Sequence, residues 1–162
     1  MLMAPRTPLL PARKRKHRLL VGRVSKVRSK NMSAIRSRDT KPELLLRKAL
    51  SARGLRYKLH RRDLPGCPDI VFHAQKLAVF CDGDFWHGRG WQARKVKGFR
   101  VRTAYWVQKI DGNIKRDRRN RLALRKLGWT VLRFWASDVQ RRPAAISDKV
   151  ALVLATRSDA GE

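Results

Sequence analysis

Asp69-Ile70-Val71-Phe72-His73-Ala74-Gln75-Lys76-Leu77-Ala78-Val79-Phe80-Cys81-Asp82 is the stretch that decides how this chain folds. Two short apolar runs, Ile70-Val71-Phe72 and Leu77-Ala78-Val79-Phe80, flank the polar segment 73–76. That pattern predicts two buried strands joined as a hairpin. Asp69 opens the first run and Asp82 follows the second, so antiparallel pairing brings both carboxylates to one edge of the sheet. Carboxylates held close repel each other unless a cation or a shared proton lies between them. One or two carboxylates, with phosphate completing the shell, describe a Mg²⁺ site on a phosphodiester. The plainer reading keeps both as ordinary turn residues.

Upstream, Thr40-Lys41-Pro42-Glu43 is a capping-box pattern with proline just inside the helix start. It predicts a helix over 41–53 that carries Leu45, Leu46, Ala49, Leu50 and Ala52 and stops at Gly54. The capping box alone explains Glu43; a helix start facing the sheet edge would also let it support a metal. Residues 55–60 read as a strand, and Leu64-Pro65-Gly66 as a turn. Downstream, 83 to about 102 is Gly-rich, aromatic and basic without a clean period, a long loop of the kind that is usually functional. A helix is predicted over 104–127, a strand over 129–135 and a last helix over 144–155. The order α-β-β-β-α-β-α predicts an α/β fold, a mixed β-sheet flanked by helices.

On the 104–127 helix, Trp106, Ile110, Ile114, Asp117 and Leu124 share one face. Asp117 therefore sits in an apolar stripe, where an unpaired charge is costly. Two kinds of partner are open. Nearby Arg116, Arg118, Arg119 or Arg121 could form an ion pair, or Asp117 could orient a histidine or bind metal at the sheet edge. His87 is the natural histidine, since it lies in the loop that leaves Asp82. In that loop the adjacent Phe85 and Trp86 are either core or rings that stack on or wedge between bases.

The balance of charge points the same way. Forty Lys and Arg stand against 12 Asp and Glu in 162 residues, a net charge of +28 and a pI near 11.7. Such a surplus repels itself unless a polyanion is present, so nucleic acid is the expected partner. An apolar fraction of 43% and five Trp exclude simple disorder. No apolar run approaches the roughly 20 residues that span a bilayer, so no membrane partner is expected. Cys67 and Cys81 are too few for a disulfide framework and suit a reducing cytoplasm. Residues 1–40 hold 12 Lys and Arg against one acid, Asp39. Residues 1–30 read as a flexible basic arm ahead of a single domain over 31–156; a transit peptide and an over-long start are the other readings. The basic stretch 89–102 and the helix face with Lys115, Arg116, Arg118 and Arg119 are expected to hold a nucleic-acid backbone.

Several pieces stand in order across 28–138, about two-thirds of the chain. They are Arg28-Ser29-Lys30-Asn31-Met32, Asp39-Thr40-Lys41-Pro42-Glu43, Leu64-Pro65-Gly66-Cys67-Pro68-Asp69, Phe85-Trp86-His87, Trp106…Lys109-Ile110, Asn113…Arg116-Asp117-Arg118-Arg119, and Leu127-Gly128-Trp129 with the strand to Trp135. In these the chain resembles the very short patch repair (Vsr) endonucleases of bacteria. The resemblance implies a restriction-endonuclease-like α/β core and a Mg²⁺-dependent enzyme that nicks double-stranded DNA 5′ to the thymine of a T:G mismatch. A bacterial, nucleoid-associated protein of the cytoplasm, acting as a monomer, is expected. Position by position, Asp69 matches the metal-binding catalytic aspartate, and Cys81 the residue whose backbone carbonyl reaches the metal. His87 matches the histidine that acts on the attacking water, Asp117 the acid that supports it, and Glu43 an acid at the helix start. Phe85 and Trp86 match the pair wedged into DNA beside the mismatch, with Met32 entering from the other groove. Asp82 replaces a family histidine, so that Asp69 and Asp82 are both expected to reach metal. Where the family holds a structural zinc, this chain has Asp84, Arg89, Trp91 and Ser137, and no zinc is expected. A related nuclease of other specificity, of restriction or mobile-element type, and a DNA-binding protein without catalysis are the alternatives. The second is disfavoured because Asp69, Asp82, His87 and Asp117 occur together.

Overall fold

Helix α1 (Lys41–Ser51) begins where the capping pattern puts it. Thr40 is extended at φ −69° and ψ 156°, and Pro42 fills the first turn, where no N–H is needed. Glu43 turns back on the helix start: its Oε1 accepts from the Thr40 hydroxyl at 2.7 Å and its Oε2 from the Asp39 N–H at 3.1 Å. The remaining elements are β1 (Lys58–Leu59), β2 (Ile70–Phe72), β3 (Leu77–Asp82), α2 (Trp91–Lys97), α3 (Thr103–Lys126), β4 (Thr130–Trp135), α4 (Ala136–Arg141) and α5 (Pro143–Ser158). This computed structural model describes residues 38–99 and 102–158. The basic arm and Met32 lie outside the described residues.

The four strands run in the order β1-β2-β3-β4. β2 pairs antiparallel with both β1 and β3, and Ile70 faces Val79 across the hairpin. β4 returns parallel to β3, Phe80 beside Arg133 and Asp82 beside Trp135, after a crossover that contains α2 and α3. The sheet is buried between two cores because its side chains alternate. Ile70, Phe72, Leu77 and Val79 point to one side, against Leu46 and Leu50 of α1, Val139 of α4, and Ile146, Val150 and Leu154 of α5. Val71, Ala78 and Phe80 point to the other, against Leu124 of α3 and Trp129. A mixed sheet with helices on both faces is the α/β architecture expected, consistent with a restriction-endonuclease-like core.

Three elements differ from expectation. The strand expected over 55–60 pairs only at Lys58–Leu59; just past it His60 takes a left-handed φ of 45° while its N–H still donates to the Asp69 carbonyl at 3.3 Å. The long loop contains α2, bounded by Gly90 at φ 64° and Gly98 at φ 73°. One buried side chain, Trp91, anchors it, so no apolar period marks it. A short α4 precedes the last helix, again with a single buried residue, Val139.

Two glycines seat loops directly on α3. A Cβ at Gly88 (φ +77°) would come within 2.6 Å of Ile114, and one at Gly66 (φ +79°) within 2.9 Å of Asn120. Both positions need left-handed backbone and empty space together, which only glycine supplies.

Candidate active site

The end of β3, the loop after it, the middle of α3 and β4 bring Asp82, His87, Asp117 and Arg133 to one place. His87 Nδ1 lies 2.5 Å from Asp117 Oδ2. A carboxylate only accepts, so Nδ1 carries the hydrogen and Nε2 is left as the basic nitrogen. Burial raises the Asp117 carboxyl, but the hydrogen bond from His87 and the charges of His87, Arg133 and Arg116 outweigh it and hold the pKa below its ordinary value. Of the two partners open from sequence, Asp117 has the histidine, and its arginine is Arg133 of β4 at 3.2 Å. Asp82, Asp117, His87 and Arg133 line one cleft of about 270 Å³, with Arg118 and Arg121 adding cations to it.

Asp69 and Asp82 both reach this edge of the sheet, in different surroundings. Asp69 Oδ2 accepts from the Cys81 N–H at 2.7 Å, and its Oδ1 faces His60 Nδ1 at 3.9 Å. Burial pushes the Asp69 carboxyl up to about 7, against the pull of the Cys81 N–H, and the charges of Glu43 and Asp82 add to the rise. A buried carboxylate among other acids favours a cation beside it. One carboxylate with the neighbouring backbone carbonyl of Cys81 is an oxygen donor set that fits a hard ion such as Mg²⁺. Burial also pushes the Cys81 thiol up, so it stays protonated and is no thiolate ligand. Asp82 has its own cation: Arg133 Nε and Nη2 donate to Asp82 Oδ2 and Oδ1 at 2.5 and 2.6 Å.

Glu43 is buried and hydrogen-bonded rather than open to the cleft. Besides its helix-start contacts it accepts from Arg47 Nη2 at 3.2 Å. Arg47 also donates to Asp39 at 2.6 Å and approaches His60 Nε2 at 2.8 Å. Asp39, Glu43 and His60 place one ligand atom each within 4.8 Å of one another, and the cation in their midst is the Arg47 guanidinium. With Nε2 accepting from Arg47, His60 presents Nδ1–H toward Asp69. His60, Arg47 and Arg133 were not singled out from the sequence. Arg133 had a signal, a charge within the strand Thr130-Val131-Leu132-Arg133-Phe134-Trp135.

Phe85 and Trp86 are half-buried. Their rings meet edge-on with centroids 5.1 Å apart, and Trp106 lies 5.3 Å from Phe85 and 6.0 Å from Trp86. Buried Asn113 donates to the Trp86 carbonyl at 2.9 Å and fixes the loop to α3. Lys115, Arg116, Arg118 and Arg119 are exposed on α3. Of the four positions aligned with zinc ligands, three bind one another. Asp84 accepts from Arg89 at 3.0 Å and from the Ser137 hydroxyl and N–H at 2.7 and 3.0 Å. Arg89 also donates to Asp138 at 3.1 Å. The fourth, Trp91, donates to Asp111 at 2.6 Å. These residues do not fit a zinc ion, since a guanidinium already supplies the positive charge.

Residues 24–93 match the family described as "DNA mismatch endonuclease Vsr". The chain is 45% identical over 125 residues, 76% of its own length and 82% of the relative's, to the "Type II nicking enzyme V.NmeDIP" of Neisseria meningitidis serogroup C. It is 42% identical over 112 residues, 69% and 79% of the two lengths, to the "Type II nicking enzyme V.HpaIIP" of Haemophilus parainfluenzae. It is 40% identical over 115 residues, 71% and 72% of the two lengths, to the "DNA mismatch endonuclease Vsr" of Escherichia coli (strain K12).

Proposed function

The chain belongs to the Vsr family of DNA mismatch endonucleases, and from that premise we propose that this DNA endonuclease nicks 5′ to the thymine of a T:G mismatch, as a monomer, with Mg²⁺ and without structural zinc. The observation that carries the reading is the 2.5 Å His87–Asp117 pair at the sheet edge that holds Asp69. Asp69 and the Cys81 carbonyl are the residues that would hold Mg²⁺. Bound there, the ion supplies a Lewis acid that eases deprotonation of water and offsets charge on the phosphate. Asp117 fixes the His87 tautomer, so that Nε2 takes a proton from the attacking water. Arg118 and Arg121 offer donors to the phosphate at the cleft. Glu43 stands near Asp69 while its own oxygens stay bonded to Asp39, Thr40 and Arg47.

The relatives named as nicking enzymes favour a second reading, single-strand cleavage set by another DNA context. One experiment separates the two: matched and T:G-containing duplexes incubated with Mg²⁺ at fixed salt. A nick confined to the T-containing strand of the mismatched duplex supports mismatch specificity. Equal cutting of both duplexes removes mismatch specificity and supports the second reading.

A further inference from the structure

Arg133 stands in the middle of β4, beside Phe80 in the parallel register and on the face of β3 that also carries Asp82. Its guanidinium carbon is 5.0 Å from the centroid of the Phe80 ring. From there the fork reaches along the strand and closes on both Asp82 oxygens, at 2.5 and 2.6 Å. The same Nη2 lies 3.2 Å from Asp117 Oδ2. It also lies 3.4 Å from His87 Nδ1, which is no hydrogen bond when Nδ1 carries its own hydrogen. One guanidinium therefore serves two buried or half-buried carboxylates, and one of these fixes the histidine.

Asp69 differs on each of these counts. Among the described residues its carboxylate accepts one hydrogen bond, from the backbone N–H of Cys81. In two-metal phosphodiester sites the ions lie about 3.5–4 Å apart, and a second carboxylate beside the first is a ready place for the second ion. Among the described residues, Asp82 has a guanidinium on both its oxygens, whereas Asp69 has none. At the Asp82 position, the oxygens a second ion would use are filled, and a dication placed there would face the fixed positive charge of Arg133. A guanidinium stays protonated at any working pH, so it does not leave the place as a histidine would.

We propose that Arg133 is the resident cation of the cleft: it occupies, on Asp82, the place of a second metal ion, leaves a single divalent ion on Asp69, and positions Asp117 and through it His87. This rests on the endonuclease reading above. Arg133 acts through Asp82 and Asp117, which makes it a positioning residue.

The test counts Mn²⁺ bound per chain, by loss of the free-ion EPR signal, in complex with a T:G duplex carrying an uncleavable linkage at the nicking position. The parent protein takes one ion. Asp69→Asn abolishes it, whereas the isosteric Asp82→Asn leaves the count unchanged. Arg133→Met frees Asp82 and raises the count to two, and adding Asp82→Asn to it returns the count to one. Two ions in the parent, or loss of an ion in Asp82→Asn, would overturn the proposal, and neither outcome needs the Arg133 variants to fold. Steady-state nicking gives the second readout. Arg133→Met lowers kcat by roughly 10- to 100-fold with KM for the duplex unchanged. Arg133→Lys recovers only part of it, because an ammonium carries the charge without the fork. Full recovery with lysine would reduce Arg133 to a bulk charge and also overturn it. If the parent nicks no duplex, or Asp69→Asn nicks normally, the endonuclease reading of this site fails instead.

Discussion

Asp69 carries the sharpest expectation at the scale of single residues. Its folded pKa of about 7 lies above the ordinary aspartate value of 3.8. Between those values the folded chain therefore holds more protons than the unfolded one. Stability without divalent ions falls as pH rises through that window, by an amount on the order of a few kcal/mol. Denaturant unfolding in EDTA between pH 5 and pH 8 should show that loss in the parent protein and a flatter profile in Asp69→Asn. A parent profile as flat as the variant's would mean that Asp69 is not held in a desolvated, acid-lined place. In catalysis, Asp69→Ala should abolish nicking by several orders of magnitude while duplex binding persists, and normal nicking would move the active site elsewhere. His87→Ala should slow the reaction by roughly 10²- to 10⁴-fold, the usual worth of one general acid or base. Asp117 was legible because a charge inside an apolar helical stripe demands a partner, and Asp69 and Asp82 because they bracket a hairpin. His60 and Arg47 left no such trace. They meet Glu43 and Asp69 only once α1 lies against the sheet, and each is unremarkable among its neighbours in so basic a chain.

Elements with a repeating apolar pattern were legible, and those held by one anchor were not. α3 shows its period over 24 residues, and the β2–β3 hairpin shows two apolar runs around a polar turn. α2 and α4 each bury a single side chain, Trp91 and Val139, so the sequence offers no period there. What ties the loop after β3 to the end of β4 is polar, and it sets the prediction at this scale. Arg89 joins Asp84, Ser137 and Asp138, with its guanidinium carbon 5.8 Å from the centroid of the Trp135 ring. Arg89→Met should keep the aliphatic packing, remove the ion pairs and speed hydrogen exchange at the Ser137 N–H, which Asp84 accepts at 3.0 Å. The same account expects no stoichiometric zinc in the purified protein. One tightly held zinc per chain, or exchange at Ser137 unaltered by Arg89→Met, would mean that the loop is fastened by something other than this clamp.

Across the whole molecule, the charge of +28 makes salt the first variable to control. Each phosphate neutralised releases counterions, so duplex affinity should fall steeply with salt, and trimming 1–27 should flatten that slope without moving the cleavage site. On the proposed T:G reading, mismatch preference has a different origin, and Phe85 and Trp86 are where it can be tested. Their rings pack on Trp106 yet remain half-buried, an aromatic cluster on the loop that carries His87 rather than side chains lost in a core. A wedge entering the stack must separate two base steps at a cost of a few kcal/mol, and a T:G pair gives up less on separation than a matched one. On that reading the rings would convert weak pairing into binding, while the basic face of α3 would hold either duplex equally. Replacing both with alanine should erase the preference for T:G over matched DNA and leave matched-duplex affinity at fixed salt nearly unchanged. A preference that survives the double substitution would confine both rings to packing against Trp106. A loss of affinity for both duplexes alike would instead show the rings supporting the loop that carries His87, which a parallel drop in thermal stability would reveal.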